Sequence, residues 1–168
     1  KTLIDQISEA KLIYIIPYLQ GAALSDERVS CELIADTFHV NPGLYKMVYK
    51  LKGDKLCLIT DCMRAGGMPD GDYTLGGQPV VKKGIQCLLP DGTIAGSVLK
   101  LNNAVKNLLD HTELSIPEAV ACASLNPAKA VGEDKNIGSL AVGKLADIII
   151  CDNDFNVEAT YINGELFN

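Results

Sequence analysis

"LCLITDCMRAGGM", residues 56–68, is the stretch on which the reading of this chain turns. Its first half is apolar at nearly every position, as in a parallel strand covered on both faces. The run stops at one carboxylate, Asp61, and a glycine-containing loop follows. Upstream, "NPGLYKMVYKLKGD" (41–54) reads as a helix with Asn41 as N-cap, Pro42 at its first position and Gly53 as its stop. Before it, "VSCELIAD" (29–36) alternates and then runs apolar to Asp36, which predicts a buried strand. Strand, helix, strand is a right-handed parallel crossover unit. It would deliver His39 and Asp61 to one C-terminal sheet edge, the edge where α/β folds build their sites. From pattern alone, Asp61 is either a turn residue closing a strand or a catalytic group. His39 is likewise either a hydrogen-bonded structural histidine or a functional one.

Residues 70–97 change character. Turn signals at Asp70-Gly71, Gly76-Gly77, Lys83-Gly84 and Asp91-Gly92 separate short β-rich runs and predict a small antiparallel meander. Ser97 is read as the cap of a helix over "VLKLNNAVKNLLDH" (98–111), with one apolar face and His111 at its exposed polar end. "SIPEAVACASL" (115–125) is a second helix, with Ser115 as N-cap and Glu118 completing the capping box. Asn126-Pro127 ends that helix in this reading. The tail returns to β over 147–151 and 157–162, with a hairpin signal at Asn163-Gly164. Residues 1–24 are mixed, helical at first and then a β-branched run broken by Pro17.

Composition sets the function class. A chain of 168 residues that is 48% hydrophobic can bury a core. Its formal charge of −6 disfavours a nucleic-acid or anionic-membrane partner, since either needs a basic face, and its lack of tryptophan weakens a base-stacking reading. None of the six cysteines forms a C-x-x-C pair, and several sit in apolar runs, so reduced buried thiols are expected. No signal-peptide pattern or membrane-length apolar run is visible, and a cytoplasmic location is the expectation.

Five segments then occur in order: "ELIADTFHVNP", "LITDCMRAGGMPDGDYTLGG", "DGTIAGSVLKL", "ASLNPAKAVG" and "GSLAVGKLADIIICD". Together, from about Pro17 onward, they resemble the C-terminal half of the N-acetylglucosamine-6-phosphate deacetylase family within the amidohydrolase superfamily. The resemblance implies an α/β fold: residues 1–136 as the last part of a (β/α)8 barrel, and residues 137–168 as strands of a small β-sandwich. It implies hydrolysis of the N-acetyl group of an amino-sugar phosphate, with a divalent metal, zinc or similar, activating water. Asp61 would be the acid/base. His39 would contact substrate, with Asp36, Thr37 and Phe38 of its turn, and Ile94, Ala95 and Gly96 would close on the sugar through their backbone.

Several positions depart from that family. No H-x-H motif occurs, and His39 and His111 are the only histidines. Ile4 stands near the position of a metal-binding histidine, Ile15 at that of a phosphate-gripping arginine, and Thr37 at that of a glycine. The expectation is therefore a deacetylase-like chain without the metal ligands, inactive alone, that pairs with itself or with a complementing N-terminal fragment. A non-catalytic interaction module and another amidohydrolase-superfamily hydrolase are the alternatives. Arg64 is either a phosphate contact or half of a surface ion pair.

Overall fold

The computed structural model describes residues 19–167. The positions of Ile4, Ile15 and Pro17 lie outside the described residues. The first elements are helix α1 (Leu19–Ser25), strand β1 (Cys31–Ile34), helix α2 (Tyr45–Lys52) and strand β2 (Leu56–Ile59). β1 and β2 pair in parallel with Cys31 opposite Leu56 and Ile34 opposite Ile59, as the crossover reading requires. α2 begins with a tight turn at Pro42–Leu44 whose Gly43 N–H is capped by the Asn41 side chain at 2.8 Å. It ends at Gly53, where φ is +49°, a left-handed conformation that costs a glycine little.

The meander expected over 70–97 is a four-stranded antiparallel sheet: β3 (Gly71–Leu75), β4 (Gln78–Lys83), β5 (Gln86–Leu88) and β6 (Ile94–Gly96). Ser97 does not cap a helix. The chain stays extended beyond it, and helix α3 starts at Leu101 and runs to Asp110. Ser97 instead makes a parallel bridge to Cys62, its carbonyl accepting from Met63 N–H at 2.9 Å and its own N–H donating to Asp61 O at 3.3 Å. It is fully buried, so its Oγ satisfies the Leu99 N–H rather than a helix end. The segment through Ser97 thus lies beside the C-terminal end of β2.

Helix α4 (Ile116–Ala123) opens with the Ser115–Glu118 capping box. Asn126-Pro127 does not simply end it, because these residues belong to a short helix α5 (Leu125–Ala130). Asn126 is buried and donates to Leu56 O at 2.9 Å, which ties α5 to β2. The tail forms an antiparallel sheet of β7 (Ile148–Cys151), β8 (Val157–Ile162) and β9 (Glu165–Phe167). Gly138, at φ +84°, is where the preceding loop meets α5: an added Cβ would lie 2.8 Å from Ala128 Cβ.

The main core gathers Leu33, Tyr45, Leu56, Leu58, Val105, Leu108 and Cys122 between the parallel pair and helices α2 to α4. A second, smaller cluster of Met63, Ala65, Val80 and Cys87 joins the meander to the loop after β2. Burial pushes the Cys122 thiol up to about 11, with lesser contributions from Cys57 and Glu118, so it stays protonated and inert. Cys57 and Cys87 are also buried, and all six cysteines are free thiols. Among the described residues, no helix is long and apolar enough to cross a membrane.

Candidate functional site

Two strand ends make the site. After β1 the chain turns sharply through Asp36-Thr37-Phe38-His39, and Asp36 organises that turn. It is only 5% exposed. Its Oδ1 accepts the N–H groups of Phe38 at 2.9 Å and His39 at 2.8 Å, while its Oδ2 lies 2.7 Å from His39 Nδ1. An oxygen of a carboxylate already receiving two N–H donors is an acceptor, so Nδ1 carries the proton in this contact. His39 Nε2 is the ring nitrogen left for a ligand. The Phe38 ring meets the His39 ring edge-on at 5.9 Å between centroids.

Two neighbouring elements fix the rest of the turn. Asn107 of α3 donates to Ala35 O at 2.8 Å, and the Tyr45 hydroxyl of α2 accepts from the Thr37 N–H at 2.9 Å. Thr37 sits at φ +65°, a left-handed conformation that a β-branched residue rarely adopts. Tyr45 is fully buried, and burial raises its phenol above the usual range, only partly opposed by the Thr37 bond. His111, at the C-cap of α3, lies edge-on to the Tyr45 ring at 6.1 Å. It is exposed at a helix end, as its sequence position predicts.

Asp61 follows β2 at the same sheet edge. It is exposed and also left-handed, at φ +46°. Its carbonyl receives the Ser97 N–H, so the meander returns to the chain immediately beside it. Behind it the loop packs tightly: a Cβ on Gly66 would fall 2.1 Å from Cys62 Sγ. The Ile94–Gly96 segment is strand β6, the last strand of the meander, with Gly96 against the Met63 side chain. Arg64 is exposed and donates to Thr74 Oγ1 at 3.3 Å, an intramolecular contact with β3. Beside the first turn, a cavity of about 220 Å³ is lined by Asp36, Thr37, Ile85, Val98 and Leu99 together with Asn103, Lys106 and Asn107 of α3.

The donor set here does not suit a divalent metal by itself. It offers one imidazole whose Nδ1 is engaged, one carboxylate with both oxygens occupied, and Asp61. Among the described residues no group of three His, Cys, Asp or Glu side chains could hold a metal ion. A hydrolytic metal centre takes at least three protein ligands.

Asp36, His39 and Asp61, singled out from the sequence, follow β1 and β2 at one sheet edge, whereas Tyr45 and Asn107, which hold that turn, carry no signal in the sequence. Both lie on helices, and their polar atoms reach turn backbone that no short-range pattern connects to them.

Comparison with known proteins adds the following. A model described as "Amidohydrolase family" matches residues 31–167. An Escherichia coli protein provisionally named as an N-acetylgalactosamine-6-phosphate deacetylase is 40% identical over 150 residues, 89% of this chain and 90% of that protein. The Bacillus subtilis N-acetylglucosamine-6-phosphate deacetylase is 41% identical over 151 residues, 89% of this chain but 38% of the relative. The crystal structure of the Pasteurella multocida N-acetylglucosamine-6-phosphate deacetylase superimposes with a TM-score of 0.84 at 34% identity, covering 88% of this chain and 38% of that one. The chain therefore spans nearly the whole of the Escherichia coli relative and about two fifths of the other two.

Proposed function

The chain belongs to the amidohydrolase family, and on that premise we propose that it forms the C-terminal, substrate-facing part of an N-acetylglucosamine-6-phosphate deacetylase. One observation carries the reading: two adjacent parallel strands end, at one edge, in the Asp36–His39 pair and in Asp61. In this reading β1, β2 and the segment through Ser97 are late strands of a (β/α)8 barrel, within residues 1–136. Residues 137–168 supply strands of a small β-sandwich. The parallel bridge between Cys62 and Ser97 and the antiparallel β7–β9 sheet support that division.

The reaction adds water across the amide, giving glucosamine-6-phosphate and acetate. Asp61 takes a proton from the attacking water and delivers it to the amine nitrogen as the C–N bond breaks. His39, anchored by its Nδ1–H, presents Nε2 to the substrate as a hydrogen-bond acceptor. Asp36, Thr37 and Phe38 shape that edge, and the Ile94-Ala95-Gly96 backbone lies against the sugar. Amidohydrolases in general use a divalent metal, zinc or a similar ion in this reading. The described residues do not form its site, so no step is assigned to it, and its ligands are supplied by a complementing N-terminal segment.

The test measures acetate release from N-acetylglucosamine-6-phosphate. The chain is assayed alone and mixed with the separately purified N-terminal remainder of the Bacillus subtilis relative, each with added zinc. Metal-dependent turnover is expected only in the mixture, and Asp61→Asn is expected to reduce it by at least about 100-fold. Robust turnover by the chain alone would overturn the division of the site. A stable mixed complex without turnover would overturn the deacetylase reading.

A further inference from the structure

The turn that carries His39 contains a contradiction. Glycine adopts a φ near +65° freely, whereas a β-branched side chain resists it. Position 37 nevertheless holds threonine at φ +65°. Strain of that kind persists only where the surroundings over-determine the backbone. The Thr37 side chain is exposed, so burial of its methyl group offers little compensation. What holds the peptide is its N–H, donated at 2.9 Å to the hydroxyl of Tyr45, a side chain with no exposed surface. The next two N–H groups and the imidazole Nδ1 all bond Asp36. The Asp36–His39 pairing therefore depends on the geometry of a peptide whose N–H is pinned by the Tyr45 hydroxyl.

We infer that Tyr45 is a positioning residue: its hydroxyl holds Thr37 in the left-handed turn and thereby sets the orientation of His39. The Asp36 carboxylate can grip N–H groups 38 and 39 and the ring together only while residue 37 keeps its left-handed turn. If Thr37 relaxed toward φ < 0, the following peptides would rotate and the Nδ1 contact would open. The functional significance rests on the substrate-contact role proposed for His39. The geometric claim does not, and its test uses neither substrate nor metal.

The test is long-range ¹H–¹⁵N spectroscopy of the imidazoles in the full 168-residue chain. With only two histidines, the signals are assigned from a His111→Gln sample. In the wild type, His39 should show a single Nδ1-protonated form. Tyr45→Phe keeps the ring and removes the oxygen. It should populate the other tautomer and speed exchange of the Nδ1 proton by up to about tenfold, the factor one neutral hydrogen bond carries. His111, packed against the retained ring, should not move. Adding Thr37→Gly should restore the wild-type His39 spectrum, because glycine needs no latch.

An unchanged His39 spectrum in Tyr45→Phe would overturn the inference, as would failure of Thr37→Gly to restore it. If Tyr45→Phe alone does not fold, a folded double variant with the wild-type His39 spectrum supports the latch, and an unfolded one refutes it. A failed latch would leave the deacetylase assay untouched, so the two readings fail separately.

Discussion

At the scale of single residues, the loop after Asp61 is governed by space rather than by backbone freedom. Gly66 does not sit at positive φ, yet an added Cβ would fall 2.1 Å from Cys62 Sγ and 3.2 Å from Met63 O. The two neighbours differ: the Met63 carbonyl belongs to a residue buried in the second core cluster, whereas the Cys62 side chain is exposed and must swing aside for the methyl group. Gly66→Ala is therefore expected to cost about 1–3 kcal/mol, the usual range for overpacking. Removing the closer obstacle should recover most of it, so Cys62→Ala/Gly66→Ala is predicted to be more stable than Gly66→Ala alone. Urea midpoints of the four proteins in the cycle measure this. Equal loss in the single and double variants would show that the Met63 carbonyl, not the sulfur, is the limiting contact. From the sequence, "RAGGM" read only as a glycine-containing loop. The close approach to Cys62 was invisible there because it depends on how the chain folds back after β2.

At the scale of elements, β1, α2, β2, the meander and the capping box were all legible, because the signal for each lies in its own short run of residues and turn signals. The errors fell where a distant partner decides. Ser97 has the residue type of an N-cap, but a buried serine beside β2 bonds Leu99 instead. Asn126-Pro127 has the form of a helix stop, but the Asn126 amide is needed at Leu56 O and the chain coils there to deliver it. The meander contains a third such device. Lys82 is almost buried on β4 and reaches Asp70 at 2.9 Å, while Asp70 also accepts the Gly84 N–H at 3.0 Å. One carboxylate thus clamps the start of β3 to the β4–β5 turn. The Lys82 hydrogen bond, aided by Gly84, holds the Asp70 carboxyl below its ordinary value of 3.8. A depressed folded-state pKa gives stability that is present above the unfolded value and lost as pH falls through the folded one. The clamp should therefore hold at neutral pH and weaken below about pH 4. Amide exchange in β3 and β4 checks this by NMR: wild-type protection should fall relative to β1 and β2 on acidification. In Asp70→Asn it should be low already at pH 6 and change little. A wild-type meander whose relative protection ignored pH would sink the clamp.

The whole molecule divides unequally between buried and open surface. Every buried apolar residue among those described lies between Leu33 and Ala128, and β7, β8 and β9 contribute none. What ties the tail to the body is local. Asn102 donates to Phe155 O at 2.8 Å, Phe155 packs on the main core, and Lys144 bonds Ile137 O and Ser139 Oγ in the approach loop. Meanwhile Leu140, Ile149, Leu166 and Phe167 remain more than half exposed, Leu140 at 83%. A three-stranded sheet gains stability by covering an apolar face, and an uncovered one drives association. The isolated chain is accordingly expected to associate with itself through this end. Sedimentation velocity should show the weight-average mass rising with concentration, and Leu140→Lys/Phe167→Lys should lower it without changing the far-ultraviolet spectrum. The N-terminal remainder of a relative should compete with that association if it covers the same surface, and should leave it intact if it docks elsewhere. A chain that stays monomeric at every concentration, with no bound hydrophobic dye, would mean the tail sheet needs no cover. Its apolar residues would then be tolerated surface rather than an interface.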